Sequence, residues 1–288
     1  MGAGVVPQGQ PIRTPMCRQV HRRFSLQVVR FTLLVFFSLA AGGLATPAQA
    51  AGLCTAPWLH DGTRLRLDGN GKTPMIVEFT LHDINRDIVD GCEIGLHIHA
   101  KSGLVALGGR PIETVQGHRL MVDEAGVVTR VVSTNGRVFA QSEHADLVGT
   151  VSTAISGMFL YGAGLAPEAE MLPGDSYDSS FDFDVVSPRL GIAIGHLHAA
   201  HARVDVSERE IGPPQMIPTL AGPQACRPIR YTRTATLGVL QLGNETIEPA
   251  PTVAHVTDWY CPALSVVVRQ EVEQHGETQV INVVDLQH

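Results

Sequence analysis

The feature that most limits the fold of this chain is a two-residue alternation of apolar and polar side chains, repeated in short segments. Met75, Val77, Phe79 and Leu81 alternate with Glu78, Thr80 and His82. Ile94, Leu96, Ile98 and Ala100 alternate with Glu93, His97 and His99. Successive side chains of a strand point to opposite faces, so each segment has one dry face and one wet face. Strand character recurs at 63–68, 119–122, 127–133, 137–141, 180–186, 191–206 (interrupted), 232–242, 253–260, 265–273 and 278–286. Turn-forming residues separate these runs: Asp68-Gly69-Asn70-Gly71, Asp90-Gly91, Glu124-Ala125-Gly126, Asn135-Gly136 and His275-Gly276. Asn135-Gly136, between Val132 and Val138, is the strongest hairpin signal, because a type I′ turn needs positive φ at both central positions. Short strands joined by tight turns predict an antiparallel meander and not a parallel α/β sheet.

One stretch departs from the alternation. Leu147, Val148, Val151, Ile155, Met158, Phe159 and Gly162 recur at steps of three and four. That spacing predicts a helix over about 147–162, with Asp146 as N-cap, packed on the dry face of the sheet or closing a cavity. Gly149 and Gly157 would each cost it about 1 kcal/mol relative to alanine, so packing must support it. Pro213, Pro214, Pro218, Pro223 and Pro228 mark 212–228 as an irregular extended connection, and as a candidate subdivision of the chain. The predicted fold is mainly β: a curved antiparallel sheet or incomplete barrel with one principal helix.

Residues 1–50 carry five arginines and no acidic residue, then the apolar run 31–41, then Ala48-Gln49-Ala50. Basic region, hydrophobic region and small-x-small site stand in the order of a secretory signal, with cleavage expected after Ala50. The run is shorter than the ~20 residues a spanning helix needs, so no transmembrane anchor is expected after cleavage. Arg22-Arg23 loosely resembles a twin-arginine signal. Cys54 follows Leu53, a bulky residue where a lipidation site wants a small one, so lipidation there is not expected. The expected domain is 51–288, in the periplasm or secreted.

Without its signal the chain keeps 16 basic against 28 acidic residues, a formal charge of −12, and its only lysines are Lys72 and Lys101. Phosphate-driven binding to nucleic acid is excluded by that balance, and docking on anionic lipid is disfavoured. Four cysteines remain, Cys54, Cys92, Cys226 and Cys261. An even count in an exported chain predicts two disulfides. Spacing alone allows three pairings. Proximity favours Cys54–Cys92 and Cys226–Cys261, since short loops close at the least entropic cost.

Histidine is the one reactive residue type that clusters. His196 and His198 lie two apart in one strand, and His201 follows. Two imidazoles on one strand face can serve one metal with a third ligand from elsewhere, so His196, His198 and His201 are candidate zinc ligands. His196 and His198 share parity with Ile192 and Ile194, which predicts that they face inward. His97 and His99 fall on a polar face, where solvation suffices. Asp175, Asp178, Asp182 and Asp184 lack calcium-loop spacing and read as a solvated acidic edge. No G-x-S-x-G, H-E-x-x-H, P-loop or G-x-G-x-x-G is present, and no other cofactor is expected. Asn244-Glu245-Thr246 fits a glycosylation acceptor, meaningful only in a eukaryotic secretory route.

Residues 165–288 carry Leu172-Pro173-Gly174-Asp175 before a strand, Arg233-Thr234-Ala235-Thr236-Leu237-Gly238 leading into a hairpin, and Trp259-Tyr260-Cys261-Pro262-Ala263-Leu264 followed by Val266-Val267-Val268-Arg269. This region resembles bacterial periplasmic proteins of unknown function that are similar in architecture to lipoprotein-carrier half-barrels. The resemblance implies a strongly curved antiparallel sheet closed on one side by helix, and it carries over no binding residue. Two functions stand side by side. The first is a non-catalytic envelope protein whose curved sheet binds an apolar, lipid-like or amphiphilic ligand, or serves as a structural module. The second is a metal-dependent periplasmic enzyme built on His196 and His198.

Overall fold

In the computed structural model, residues 53–71, 74–88, 91–104, 110–124, 126, 128–134, 136–141, 145–153, 161, 165, 169–242 and 244–287 are described. The export segment and its cleavage site lie outside them. Eighteen strand segments follow in chain order: β1 Arg64–Asn70, β2 Met75–Asn85, β3 Gly91–Leu104, β4 Arg110–Asp123, β5 Val128–Ser133, β6 Gly136–Gln141, β7 Asp146–Thr153, β8 Met171–Leu172 and β9 Asp175–Val186. Then come β10 Ala193–Val206, β11 Arg209–Ile211, β12 Gln215–Thr219, β13 Gly222–Thr236, β14 Leu240–Leu242, β15 Glu245–Ile247, β16 Thr252–Cys261, β17 Val266–Gln274 and β18 Glu277–Gln287.

Twelve of these form a closed antiparallel ring, in the order β1, β2, β3, β4, β6, β7, β9, β10, β13, β16, β17, β18 and back to β1. The closing ladder runs from Arg64 opposite Gln287 to Asn70 opposite Val280, with a bulge at Arg66/Leu67. The sheet is therefore a complete barrel, not the incomplete one expected. Closure removes both edges that an open sheet would leave with unpaired backbone groups. It depends on pairing between the two chain ends, which local alternation does not encode.

The alternation itself is realised. In β2, Val77, Phe79 and Leu81 are buried while Glu78 and Thr80 are only partly covered; in β3, Ile94 and Leu96 are buried and His97 is exposed. The 53–63 segment fills one end of the bore. Gly62 N donates to Leu81 O (2.8 Å) and Leu81 N to Thr63 O (2.9 Å), and Trp58 Nε1 donates to Leu264 O (2.5 Å). Leu53, Leu59, Ile94, Tyr260 and Val267 belong to one buried cluster there, each large side chain contributing about 1.5–3 kcal/mol by leaving water. Disulfides join Cys54 to Cys92 and Cys226 to Cys261, the pairs that bracket local β units, and the first ties the filling segment to β3.

Three further expectations are corrected. The helix over 147–162 is not formed: residues 146–153 are strand β7, and among the described residues the sole helix is the 3-10 turn Leu53–Thr55. The rest of that stretch, apart from Tyr161, lies outside the described residues. Leu147 and Val151 point inward and Val148 outward, so an alternating segment had mimicked a helical stripe. Gly149 suits the strand, since a Cβ there would stand 2.0 Å from Asp182 O of β9. The proline-rich 212–228 is not an irregular connection. Gln215–Thr219 and Gly222–Cys226 form a hairpin, and β13 continues into the ring against β16. Ala45–His288 forms one compact unit.

Asn135-Gly136 is not a hairpin turn either. β5 and β6 both run antiparallel to β4, Ser133 opposite His118 and Arg137 opposite Val115. They are one strand interrupted by a bulge with an extra residue. The two-residue turn with positive φ at both positions occurs instead at His275 (53°) and Gly276 (75°), between β17 and β18.

The outer wall is charged across β1 to β4. Arg66 of β1 lies near Glu78 of β2 (3.9 Å), Glu78 near His99 of β3 (3.9 Å), and Glu113 of β4 contacts both His99 (2.5 Å) and Lys101 (3.3 Å). This belt of charges crosses four staves where a membrane-spanning barrel carries an apolar band.

Candidate functional site

Two places on the barrel gather chemically capable side chains. The first is the bore. A cavity of about 330 Å³ is lined by Met75, Val77, Phe79 and Ile98 of β2 and β3, by Thr114, Gln116 and His118 of β4, by Gln270, Val272 and Gln274 of β17, by Gln279 and Ile281 of β18, and by Arg233 of β13. In the ring order β4 and β13 stand five staves apart one way and seven the other, so His118 and Arg233 face the cavity from opposing walls. A ring of twelve staves is wider than the roughly eight whose interior side chains just fill, which is why space remains.

The polar groups at this cavity are positioned by alternation: each occupies an inward place where a neighbouring inward place holds an apolar residue. His118 is 4% exposed. Its Nδ1 meets Ser133 Oγ at 2.9 Å, while Nε2 is buried without a hydrogen-bond partner among the described residues. Burial pushes the imidazole down to about 4, so it is neutral at pH 7. Arg233 is half-buried and makes no ion pair with a described residue.

Below the cavity lies a carboxyl removed entirely from solvent. Asp258 of β16 is 0% exposed. It accepts from Tyr161 OH (2.5 Å), Tyr231 OH (3.0 Å) and Gln270 Nε2 (2.7 Å). Burial pushes its pKa up to about 6, against the pull of those three hydrogen bonds. Burial foremost, with the adjacent carboxylate, holds both tyrosine hydroxyls protonated far above their ordinary range. Gln270 thus links the cavity lining to this closed network. Trp259 and Tyr260, which follow Asp258, find the partners their polar tips need: Trp259 Nε1 donates to Glu271 Oε1 (3.1 Å), and Tyr260, pushed up to about 12 by burial, bonds with Ser265.

The second place is on the outer wall. β9 and β10 pair so that His196 stands opposite Asp184 and His198 opposite Asp182. All four side chains point outward, so the inward orientation expected from the parity of Ile192 and Ile194 is corrected: those two isoleucines are themselves 55% and 58% exposed. The parity does not carry through: Ile192 precedes β10 and Ile194 falls in the register shift between Ala193 and Gly195, so neither reports which face His196 and His198 occupy. His196 Nδ1 meets Asp184 Oδ1 at 3.0 Å and its Nε2 meets Asp182 Oδ1 at 3.4 Å. His198 Nδ1 meets Asp182 Oδ2 at 3.0 Å. The imidazoles stack at 6.4 Å between centroids. The hydrogen bond with Asp184, ahead of the charge of Asp182, raises the pKa of His196. His201 is exposed within the bulge between Ala199 and Ala202 and outside this group; Asp182 takes the third position. Asp182 and Asp184 had read as a solvated edge, and only the cross-strand register reveals their histidine partners.

No family model and no curated protein matches this chain. Two solved structures are similar to it. One, from Bacteroides fragilis, is described as an exported protein with a YmcC-like fold; it is 12% identical, with a TM-score of 0.39, over 80% of this chain and 97% of that one. The other, from Parabacteroides distasonis, is described as a lipoprotein; it is 10% identical, with a TM-score of 0.38, over 79% of this chain and 96% of that one. At this level of similarity neither bears on the function or location of this chain.

Proposed function

We propose that this chain is an exported, non-catalytic protein that holds an amphiphilic molecule with an anionic head in the bore of its barrel. The observation that carries the reading is the cavity of about 330 Å³, in which an apolar wall of Met75, Val77, Phe79, Ile98, Val272 and Ile281 shares one space with Arg233 and the unpartnered His118 Nε2. Its size falls in the range of small-molecule pockets, and a few convergent polar groups in an apolar lining fix orientation in such sites. Arg233 supplies a permanent charge for a carboxylate or phosphate head. Neutral His118, with Ser133 on Nδ1, donates or accepts one further hydrogen bond at Nε2 according to its tautomer. Export rests on the basic, apolar and small-x-small order of residues 1–50, and two disulfides suit an oxidising compartment.

The test is direct titration of the mature protein with dodecanoate, dodecanol and dodecyltrimethylammonium, followed by displacement of a fluorescent fatty-acid probe. Dodecanoate should bind at least tenfold more tightly than the other two, and Arg233→Met should abolish that preference. Absence of binding by all three overturns the reading; equal binding by all three overturns the anionic head.

A further inference from the structure

We propose that Asp182, His196 and His198 form a divalent transition-metal site on the outer wall of the barrel, with Asp184 orienting His196 from behind. The site is separate from the cavity and independent of what the cavity binds.

The argument begins with register. In an antiparallel pair, residues directly opposite on one face have closely spaced side chains. His196 and His198 are two apart on β10, and Asp184 and Asp182 oppose them in that order on β9. The sheet thus brings two imidazoles and two carboxylates into one small square without any loop. The potential ligand atoms of Asp182, His196 and His198 lie within 4.8 Å of one another. Zinc bonds of about 2.0–2.2 Å in tetrahedral geometry place ligand atoms about 3.4 Å apart. The separations of Asp182 from His196 Nε2 (3.4 Å) and from His198 Nδ1 (3.0 Å) are already at that scale. Small rotations of exposed side chains bring in the rest.

The fourth residue distinguishes this group from a chance pair of surface ion pairs. Asp184 Oδ1 contacts Nδ1 of His196 at 3.0 Å, while Nε2 of the same ring faces Asp182. A ligating histidine characteristically donates its other nitrogen to a carboxylate, which fixes the tautomer and raises the basicity of the ligating nitrogen. With neutral imidazoles the square carries two negative charges. The residues that flank it across the neighbouring pairings, Val148, Thr150 and Gln241, bring no cation to neutralise them. Two nitrogens and one or two oxygens suit zinc, nickel or copper better than calcium or magnesium. The face is open to solvent, so water completes the coordination, and nothing there encloses a substrate.

The experiment uses untagged, metal-free mature protein. Zinc is titrated calorimetrically, and cobalt serves as a spectroscopic probe whose visible absorption reports a tetrahedral nitrogen and oxygen environment. Wild type should bind one equivalent. His196→Ala, His198→Ala and Asp182→Asn should each weaken binding more than tenfold, and Asp184→Asn should weaken it about ten- to a hundredfold, the usual cost of losing such a partner. His201→Ala should bind as wild type does. Four of the five positions are exposed and His198 is half-exposed, and unchanged melting in chelator verifies the fold of each variant. Equal zinc affinity in wild type and the His196→Ala/His198→Ala double variant overturns the site. Loss of binding in His201→Ala overturns the ligand assignment.

Discussion

Gln270 Nε2 donates to Asp258 Oδ1 at 2.7 Å, and the carboxyl it holds has no contact with solvent. Tyr161 and Tyr231 complete the network from two other parts of the chain, with both hydroxyls on Oδ2. Asp258 therefore has donors on each oxygen and no ion pair among the described residues, Arg233 acting on it only as a lesser charge attraction. Hydrogen bonds to its charged form offset only part of the cost of burying it.

The pH dependence follows from the raised pKa. The folded protein prefers the protonated acid, so the contribution of Asp258 is fully present below its unfolded value of 3.8 and is lost as pH rises through about 6. Asp258→Asn keeps an acceptor and removes the charge. On passing from pH 4 to pH 7, the stability of the variant relative to wild type should rise by up to about 3 kcal/mol. Guanidinium unfolding of both proteins across that range measures the difference directly, and a constant difference would contradict the buried carboxylate.

His118 works in the opposite sense. Its folded pKa is depressed to about 4 by burial, so its contribution is fully present above the unfolded value near 6.5 and is lost as pH falls through about 4. His118→Gln retains a polar group without a titrating nitrogen. The variant should lose less stability than wild type between pH 6.5 and pH 4, as read from melting temperature against pH. Identical slopes would place His118 in contact with water.

Much of this arrangement is legible in the sequence, and the failures share one cause. The strands β2 and β3, the interrupted β10, the stop of β16 at Cys261 before Pro262 and the turn at His275-Gly276 all follow from local pattern. Closure through Arg64 and Gln287 does not, because it joins residues at the two ends of the chain. The stripe through Leu147, Val148 and Val151 satisfies two periodicities at once, and only pairing with β6 and β9 selects the strand. For the bore, the missed signal is available: Gln270 and Gln274 share an inward face with Val272. A polar residue in an apolar parity position marks a lumen, not an error in the pattern. For the outer site, His196 and His198 are evident, but Asp182 and Asp184 become their partners only through cross-strand register.

Two disulfides close loops with sequence separations of 38 and 35 residues. Chain entropy gives each about 3–4 kcal/mol. Cys54→Ala/Cys92→Ala should loosen the 53–63 segment, which the bridge fastens to β3, as well as lower global stability. Cys226→Ala/Cys261→Ala removes a link between two ring strands already paired nearby and should lower global stability alone. Hydrogen exchange separates the two outcomes: amides of Gly62 and Thr63 should lose protection selectively in the first variant. Equal loss in both variants would mean that the filling segment is held by packing alone.

The bulge between β5 and β6 is pinned by one hydroxyl. Thr134 Oγ1 donates to Gly117 O at 3.0 Å and accepts from Gly117 N at 3.1 Å, while Thr134 N also donates to Gly117 O at 2.9 Å. The extra residue of the bulge leaves Gly117 of β4 without a backbone acceptor in the usual ladder, and the threonine side chain supplies it. A Cβ on Gly117 would stand 2.9 Å from that oxygen, so the hydroxyl and the glycine depend on each other. Thr134→Val keeps the shape and removes both side-chain bonds, and should cost about 1 kcal/mol, with Thr134→Ser recovering most of it. Gly117→Ala should displace the same hydroxyl, so the double variant Gly117→Ala/Thr134→Val should lose less than the two single losses combined. Had Asn135-Gly136 been the hairpin its composition suggests, Gly117 and Thr134 would not face each other, and the two substitutions would be additive. A double-variant cycle by urea unfolding distinguishes the two, and strict additivity would count against the bulge.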